Sequence, residues 1–207
     1  MAQQNQFQGL IRAAIVLAAL LIARPAFAQL PFDQWLAEFA AEALTKGISE
    51  PVVREALKGV TPVDRIIQSD RNQPEFKLSL DTYMSRVLTP ANIAAGRKKM
   101  KTHSTLLKAV GKKYGVTPSY IAAIWGIETR YGAVKPKSPV IPALATLAWD
   151  TRRPEFFRIE LLDALRILDA GDVTLPNLLG SWAGAMGQPQ FMPSSYLKYA
   201  QDWEADG

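Results

Sequence analysis

The sequence predicts a mainly α-helical fold, α+β at most, and three features carry that expectation. Apolar residues recur at helical spacing through most of the chain after residue 28, and helix start and stop residues punctuate it at short intervals. Hardly any stretch alternates apolar with polar as a half-buried strand does. With 207 residues, 48% hydrophobic and 21% charged, the chain is long enough for one domain with its own core and is not composed like a disordered one.

The segment from Met1 to Ala28 stands apart. It holds no acidic residue, carries Arg12, and runs AAIVLAALLIA from Ala13 to Ala23 before Arg24, Pro25 and the triplet Ala26, Phe27, Ala28. The apolar run is too short to span a bilayer comfortably, and the triplet is the A-x-A pattern that a secretory signal peptidase cuts. The expectation is a signal peptide over 1–28, cleaved after Ala28, and a periplasmic mature chain; the rival reading is a short anchor left uncut. The absence of cysteine rules out an N-terminal lipid on that residue and any disulfide, so the core alone must supply stability. Loss of the segment removes two arginines and leaves 22 basic against 19 acidic residues, too small an excess to point to nucleic acid.

Beyond the segment the elements follow in order. Residues 33–46 (DQWLAEFAAEALTK) read as a helix stopped by Gly47; Ser49 is then an N-cap for 50–58, with Pro51 in the first turn and Gly59 past the end, giving an αα hairpin. Residues 61–88 mix polar and apolar with prolines at 62 and 74, a connector with room for one short helix. Thr89 and Pro90 open a helix expected to reach Tyr114 before Gly115, and Thr117 and Pro118 open another that ends at Gly132. A loop of proline and lysine, the apolar segment ALATLAW and a turn at Asp150 and Thr151 follow, then a helix over 154–169 closed by Gly171. The final third, GSWAGAMGQPQFMPSSYLKYAQDWEADG, has no dominant period.

Elimination narrows the chemistry. His103 is the single histidine and sits in a polar run where a solvent-facing role is expected; there is no cysteine nucleophile, no H-E-x-x-H and no G-x-x-x-x-G-K. Acid/base work by carboxylates remains. On a helical wheel started at Ile121, Ile124 falls at about 300°, Trp125 at about 40° and Glu128 at about 340°, so Glu128 shares a face with apolar neighbours. Such a carboxylate must pair with a cation, line a cleft, or hold its proton. A proton held near neutral pH suits departure of a poor alcohol leaving group, as in glycosidic cleavage; an ion pair with Arg130 or another cation is the structural alternative. The basic run RKKMK at 97–101, with Lys112 and Lys113, reads as a solvated helix face or as an attraction to an anionic polymer.

The stretches GIETRYG, DTRRPEFF and SWAGAMGQPQFMPSSYLKYAQDWEADG resemble the lytic murein transglycosylase B family, bacterial enzymes with a lysozyme-like core that cleave peptidoglycan glycan strands. The similarity runs from about Tyr83 to the C-terminus and implies an N-terminal helical region over 29–88 and a lysozyme-like catalytic core over 89–207. In that likeness Glu128 matches the sole catalytic acid/base. Ser181 and Gln190 match polar groups lining the cleft near it, Arg152 and Arg153 a pair in contact with substrate, and Tyr83 a cleft aromatic. Each has a plainer alternative: Ser181 as a cap, Gln190 satisfying buried backbone, the arginines as a solvated pair, Tyr83 as core.

The resemblance implies a peptidoglycan lytic transglycosylase that cuts between N-acetylmuramic acid and N-acetylglucosamine and leaves 1,6-anhydro ends, with glycan strands as its partner. A hydrolytic muramidase and a non-catalytic peptidoglycan-binding protein are the alternatives. Asp202, Glu204 and Asp206 occupy the first, third and fifth places of a calcium loop, with Gly207 at the sixth. Half a loop is not expected to bind the ion, so neither metal nor cofactor is assigned, and the core is expected to be incomplete at its C-terminus.

Overall fold

The computed structural model describes residues 29–73 and 78–203; the proposed signal peptide lies outside the described residues. The first two helices are those expected: α1 is Phe32–Thr45 and α2 is Glu50–Leu57. Ser49 precedes α2 but makes no capping bond to it. Its hydroxyl and backbone N–H are both given to the Asp169 carboxylate, far along the chain, so the residue chosen as a cap is a tertiary tie.

The connector holds two short helices rather than one, α3 (Asp64–Arg71) and α4 (Leu80–Val87). Ser79 caps α4 by accepting from the Thr82 N–H at 3.3 Å. The long helix expected from Pro90 to Tyr114 is two, α5 (Pro90–Thr102) and α6 (Ser104–Tyr114), broken at His103, whose ψ of 25° departs from helical values. The break turns the His103 ring edge-on to Trp125, 5.5 Å away, and leaves it half-buried, not solvent-facing. Next come α7 (Pro118–Thr129), α8 (Val140–Trp149), α9 (Pro154–Ala170) and α10 (Pro193–Tyr199). Among the described residues the strands are a single two-residue antiparallel pair, β1 (Ser138–Pro139) and β2 (Leu179–Gly180), with Ser138 opposite Gly180. No described helix is long and apolar enough to cross a membrane.

The main core lies around α8 and α9. ALATLAW, apolar on every side, forms a helix whose residues from Val140 to Ala148, Pro142 excepted, are buried, as a central core helix must be. Leu144, Leu161 and Leu165 are fully enclosed, and Phe39 of α1 reaches the same cluster. Trp35 stacks on Phe39, and Phe32 meets Trp149 edge to face at 5.6 Å. α5, α6 and α7 pack on one another as a second group that contributes nothing to that cluster.

Two polar ties hold the segments on this core. Thr146 on α8 accepts from the Val63 N–H at 3.1 Å, fixing the entrance to α3. Glu160, buried on α9, accepts from both the N–H and the hydroxyl of Ser194, at 2.9 and 2.7 Å, and so fastens the first turn of α10. The serine of the M-P-S-S stretch is thus an anchor for its helix.

Candidate active site

α7 presents Glu128 one residue before its end. The helix is apolar nearly all round, yet it buries only Ala122 and Thr129 fully; Ile124 and Ile127 are 57% and 52% exposed. Glu128 does share its side of the helix with apolar neighbours, and that side faces outward. Its carboxylate is exposed and has no hydrogen bond or ion pair among the described residues. Desolvation by the surrounding protein raises its pKa above the ordinary glutamate value. The ion pair with Arg130 is therefore absent from the structure.

The chain after Glu128 turns sharply. Arg130 and Tyr131 adopt φ of 50° and 61°, left-handed values that cost non-glycine residues energy, and Gly132 follows at 81°. The turn swings the Tyr131 ring back between α5 and α7, where a Cβ on Gly96 or Gly126 would come within 2.5 Å of its hydroxyl oxygen. Those two glycines leave room for the ring. Trp125, one turn before Glu128, collects the neighbours: Tyr131 edge-on at 5.4 Å, His103, and the Lys99 ammonium 5.0 Å from its centroid.

The loop from Gly180 to Phe191 is an arch closed by backbone bonds, Met186 N–H to Phe191 O at 2.7 Å and its reciprocal at 3.0 Å. Ser181 Oγ accepts from the N–H groups of Ala183 and Ala185 at 3.3 and 3.1 Å, which fixes the turn and leaves its hydroxyl proton free to donate. Gln190, at φ 53°, donates from Nε2 to Gly187 O at 3.0 Å and leaves its amide oxygen as an acceptor. A Cβ on Gly180 would meet Ala185 O at 2.7 Å, which accounts for the small residue there. Both predicted polar residues thus build the loop and keep one polar atom each to offer.

Gln188, which sequence reasoning missed, joins the loop to α7. Its Oε1 accepts from Trp125 Nε1 at 2.7 Å, and its carbonyl accepts from Thr129 Oγ1 at 2.9 Å. These bonds flank Glu128 in sequence on both sides and so tie the loop to the glutamate helix. Nothing in the local pattern of Q-P-Q distinguishes this glutamine from Gln190.

Ser181, Trp182 and Gln190 also form one wall of a cleft of about 680 Å³ whose facing wall is α3. Glu128 is not among its lining residues, and neither is Tyr83, half-buried on α4. Arg152 and Arg153 lie behind α3. Arg152 Nη1 is 2.7 Å and Arg153 Nη2 2.6 Å from Asp70 Oδ1, and Arg71 makes a two-pronged contact with Asp150, both distances 2.8 Å. Burial opposes the charge on Asp70, but hydrogen bonds and attraction from Arg152 and Arg153 outweigh it and hold its pKa below the usual carboxylate value. Asp150 is likewise held low: Arg71 and the Arg152 N–H overcome its burial. The two predicted arginines are thus buttresses between α3 and the α8–α9 turn, each with over a third of its side chain exposed.

The structure therefore brings Ser181 and Gln190 together and couples their loop to the glutamate helix through Gln188. The arginines reach the other wall of the same cleft from behind, and Tyr83 stands apart. Of the half calcium loop only Asp202 falls in the described residues, and no group of three metal-ligating side chains is found among them.

A family model described as the transglycosylase SLT domain matches residues 31–207. The chain is similar to the membrane-bound lytic murein transglycosylase B of Escherichia coli K12, 43% identical over 127 residues that make up 60% of this chain and 35% of that protein. It is also similar to crystal structures of SltB3 from Pseudomonas aeruginosa in complex with NAG-NAM-pentapeptide (TM-score 0.79, 40% identity, 84% of this chain and 47% of that one). The Escherichia coli lytic transglycosylase Slt35 in complex with calcium matches at TM-score 0.74 and 33% identity, over 88% of this chain and 58% of that one. The chain spans about a third to three fifths of the length of these relatives.

Proposed function

The chain belongs to the transglycosylase SLT domain family, and from that premise we propose that it acts as a peptidoglycan lytic transglycosylase, with Glu128 as its single catalytic carboxylate. The observation that carries this reading is a contrast of environments. The buried acids Asp70, Asp150, Glu160 and Asp163 are each held by arginine or serine partners, whereas Glu128 is reachable, has no partner among the described residues and has its pKa raised by desolvation. A proton kept on an accessible carboxylate is what a glycosidic leaving oxygen requires.

In the proposed reaction the Glu128 proton passes to the oxygen bridging N-acetylmuramic acid and N-acetylglucosamine as the bond from C1 to that oxygen breaks. The Glu128 carboxylate then takes the proton from the C6 hydroxyl of the muramic acid while its oxygen bonds to C1. A 1,6-anhydro end forms, the glutamic acid is regenerated and no water is consumed. The nucleophile belongs to the substrate, so a second carboxylate is not needed, and holding the sugar in place supplies much of the acceleration. The Ser181 hydroxyl and the Gln190 amide oxygen are proposed to hold it, with Arg152 and Arg153 at the substrate's flank. The proposed site of action is the periplasm, supported by the A-F-A cleavage pattern and by the envelope location in the name of the Escherichia coli relative.

Clearing of purified peptidoglycan by the wild-type chain and by Glu128→Gln tests the assignment. The glutamine variant is expected to bind glycan and leave it uncut; equal clearing by both proteins removes Glu128 from the mechanism.

A further inference from the structure

The cleft between α3 and the Ser181 loop has two chemically different walls. On the loop side are the Trp182 ring, Ser181 and Gln190, an apolar plate with neutral hydrogen-bonding groups that suits a sugar. On the other side Arg65, Gln68 and Ser69 follow the three- and four-residue spacing of one face of α3, and Asn72, just past its end, continues that row. Among the described residues, Arg65 is the one charged residue lining the cleft, and its guanidinium has no ion pair or hydrogen-bond partner.

Its neighbours have used part of their capacity along the helix. Ser69 Oγ donates to Arg65 O at 2.9 Å, Asn72 Nδ2 to Gln68 O at 3.0 Å, and Gln73 Nε2 to Asp70 Oδ1 at 3.2 Å. Nor does the reverse face of α3 neutralise the cation, since three guanidiniums, Arg71, Arg152 and Arg153, there meet two carboxylates, Asp70 and Asp150, among the described residues. The volume, about 680 Å³, falls in the range of small-ligand sites.

A guanidinium alone in a polar cleft selects a carboxylate, which it grips with two parallel N–H bonds. The sugar rings of a peptidoglycan strand carry no charge once the lactyl group is amidated by its peptide; the anionic groups nearest the glycan are the carboxylates of that peptide. We propose that the α3 wall binds the peptide stem of the substrate, with Arg65 receiving a stem carboxylate while the Trp182 wall carries the sugar. The proposal rests on the peptidoglycan reading above and adds the stem to what the site recognises.

Calorimetric titration tests it in a Glu128→Gln background, which prevents turnover. The two ligands are the N-acetylglucosaminyl-N-acetylmuramyl pentapeptide and the same molecule with its peptide carboxylates amidated. The parent is expected to bind the charged ligand about tenfold more tightly than the amidated one. Arg65→Ala is expected to erase that preference without changing affinity for the amidated ligand, and Arg65→Lys to keep part of it. A preference that survives Arg65→Ala, an equal loss for both ligands, or no preference in the parent overturns the proposal. If the wild-type chain still releases anhydro ends in that event, the stem assignment alone falls; a chain that neither binds nor cleaves peptidoglycan removes both readings.

Discussion

At the scale of single residues, Glu128 combines access to solvent with a surrounding that disfavours its charge. The folded chain holds the Glu128 proton to higher pH than a free glutamate does, so an acid-dependent step should lose rate as pH rises through that elevated pKa. The same shift has a thermodynamic sign. Between the unfolded and the raised folded pKa the native state binds more protons, so stability falls as pH rises across that window. Glu128→Gln removes the charge, and at neutral pH its melting temperature is expected to equal or exceed that of the wild type while turnover drops about 100-fold or more. A lower melting temperature would assign the glutamate a structural role. Gln188 is the complementary case: Gln188→Leu leaves the Trp125 N–H without its acceptor and is expected to cost about 1 kcal/mol in chemical denaturation, with a change in tryptophan emission. Gln188→Glu, which keeps an acceptor, is expected to restore the emission.

At the scale of elements, the α3 buttress gives a test that needs no substrate. Asp70 is buried and meets Arg71, Arg152 and Arg153. Removing its charge leaves Arg152 and Arg153 without their carboxylate, while Arg71 keeps Asp150; partial exposure of the arginines softens the loss, and Asp70→Asn is expected to cost about 2 kcal/mol. Because the folded pKa of Asp70 is depressed, the contribution is complete above the unfolded value and is lost as pH falls through the folded one. The wild type should therefore lose its advantage over Asp70→Asn only in acid, below about pH 4, a trend that unfolding curves at several pH values would reveal. The helix ends show how far the sequence could be read. Gly115 and Gly171 end α6 and α9 with φ of 68° and 80°, and prolines open α5, α7, α9 and α10, all local signals. The break at His103 and the transfer of Ser49 to Asp169 involve partners distant in sequence, Trp125 and Asp169, and no local pattern announces those; the second helix in the connector does carry a local signal, the Ser79 cap, which the mixed polar and apolar composition of 61–88 obscured.

At the scale of the whole molecule, the described chain is a main core around α8 and α9 with the α5–α7 group set beside it, and the catalytic candidate lies in the smaller group. The stability load should follow that division. Leu161→Ala, at a fully enclosed position, is expected to cost about 3 kcal/mol, whereas Ile127→Ser on the exposed side of α7 is expected to change stability by about 0.5 kcal/mol at most; parallel denaturation curves compare the two. The helical class was legible from periodicity; the place of Glu128 on an apolar helix singled it out, but left a tuned acid and an ion pair both open, and its proposed role came from the resemblance. The cleft was not, since its walls come from segments far apart in sequence that meet only through tertiary packing. The central claim is that one glutamate serves as acid and then base while the substrate supplies its own nucleophile. Mass analysis of the fragments released from peptidoglycan tests this most directly: the account requires muramic acid ends lighter by one water, the 1,6-anhydro form, and their absence in the Glu128→Gln digest. Fragments bearing only reducing ends would contradict it and indicate hydrolysis.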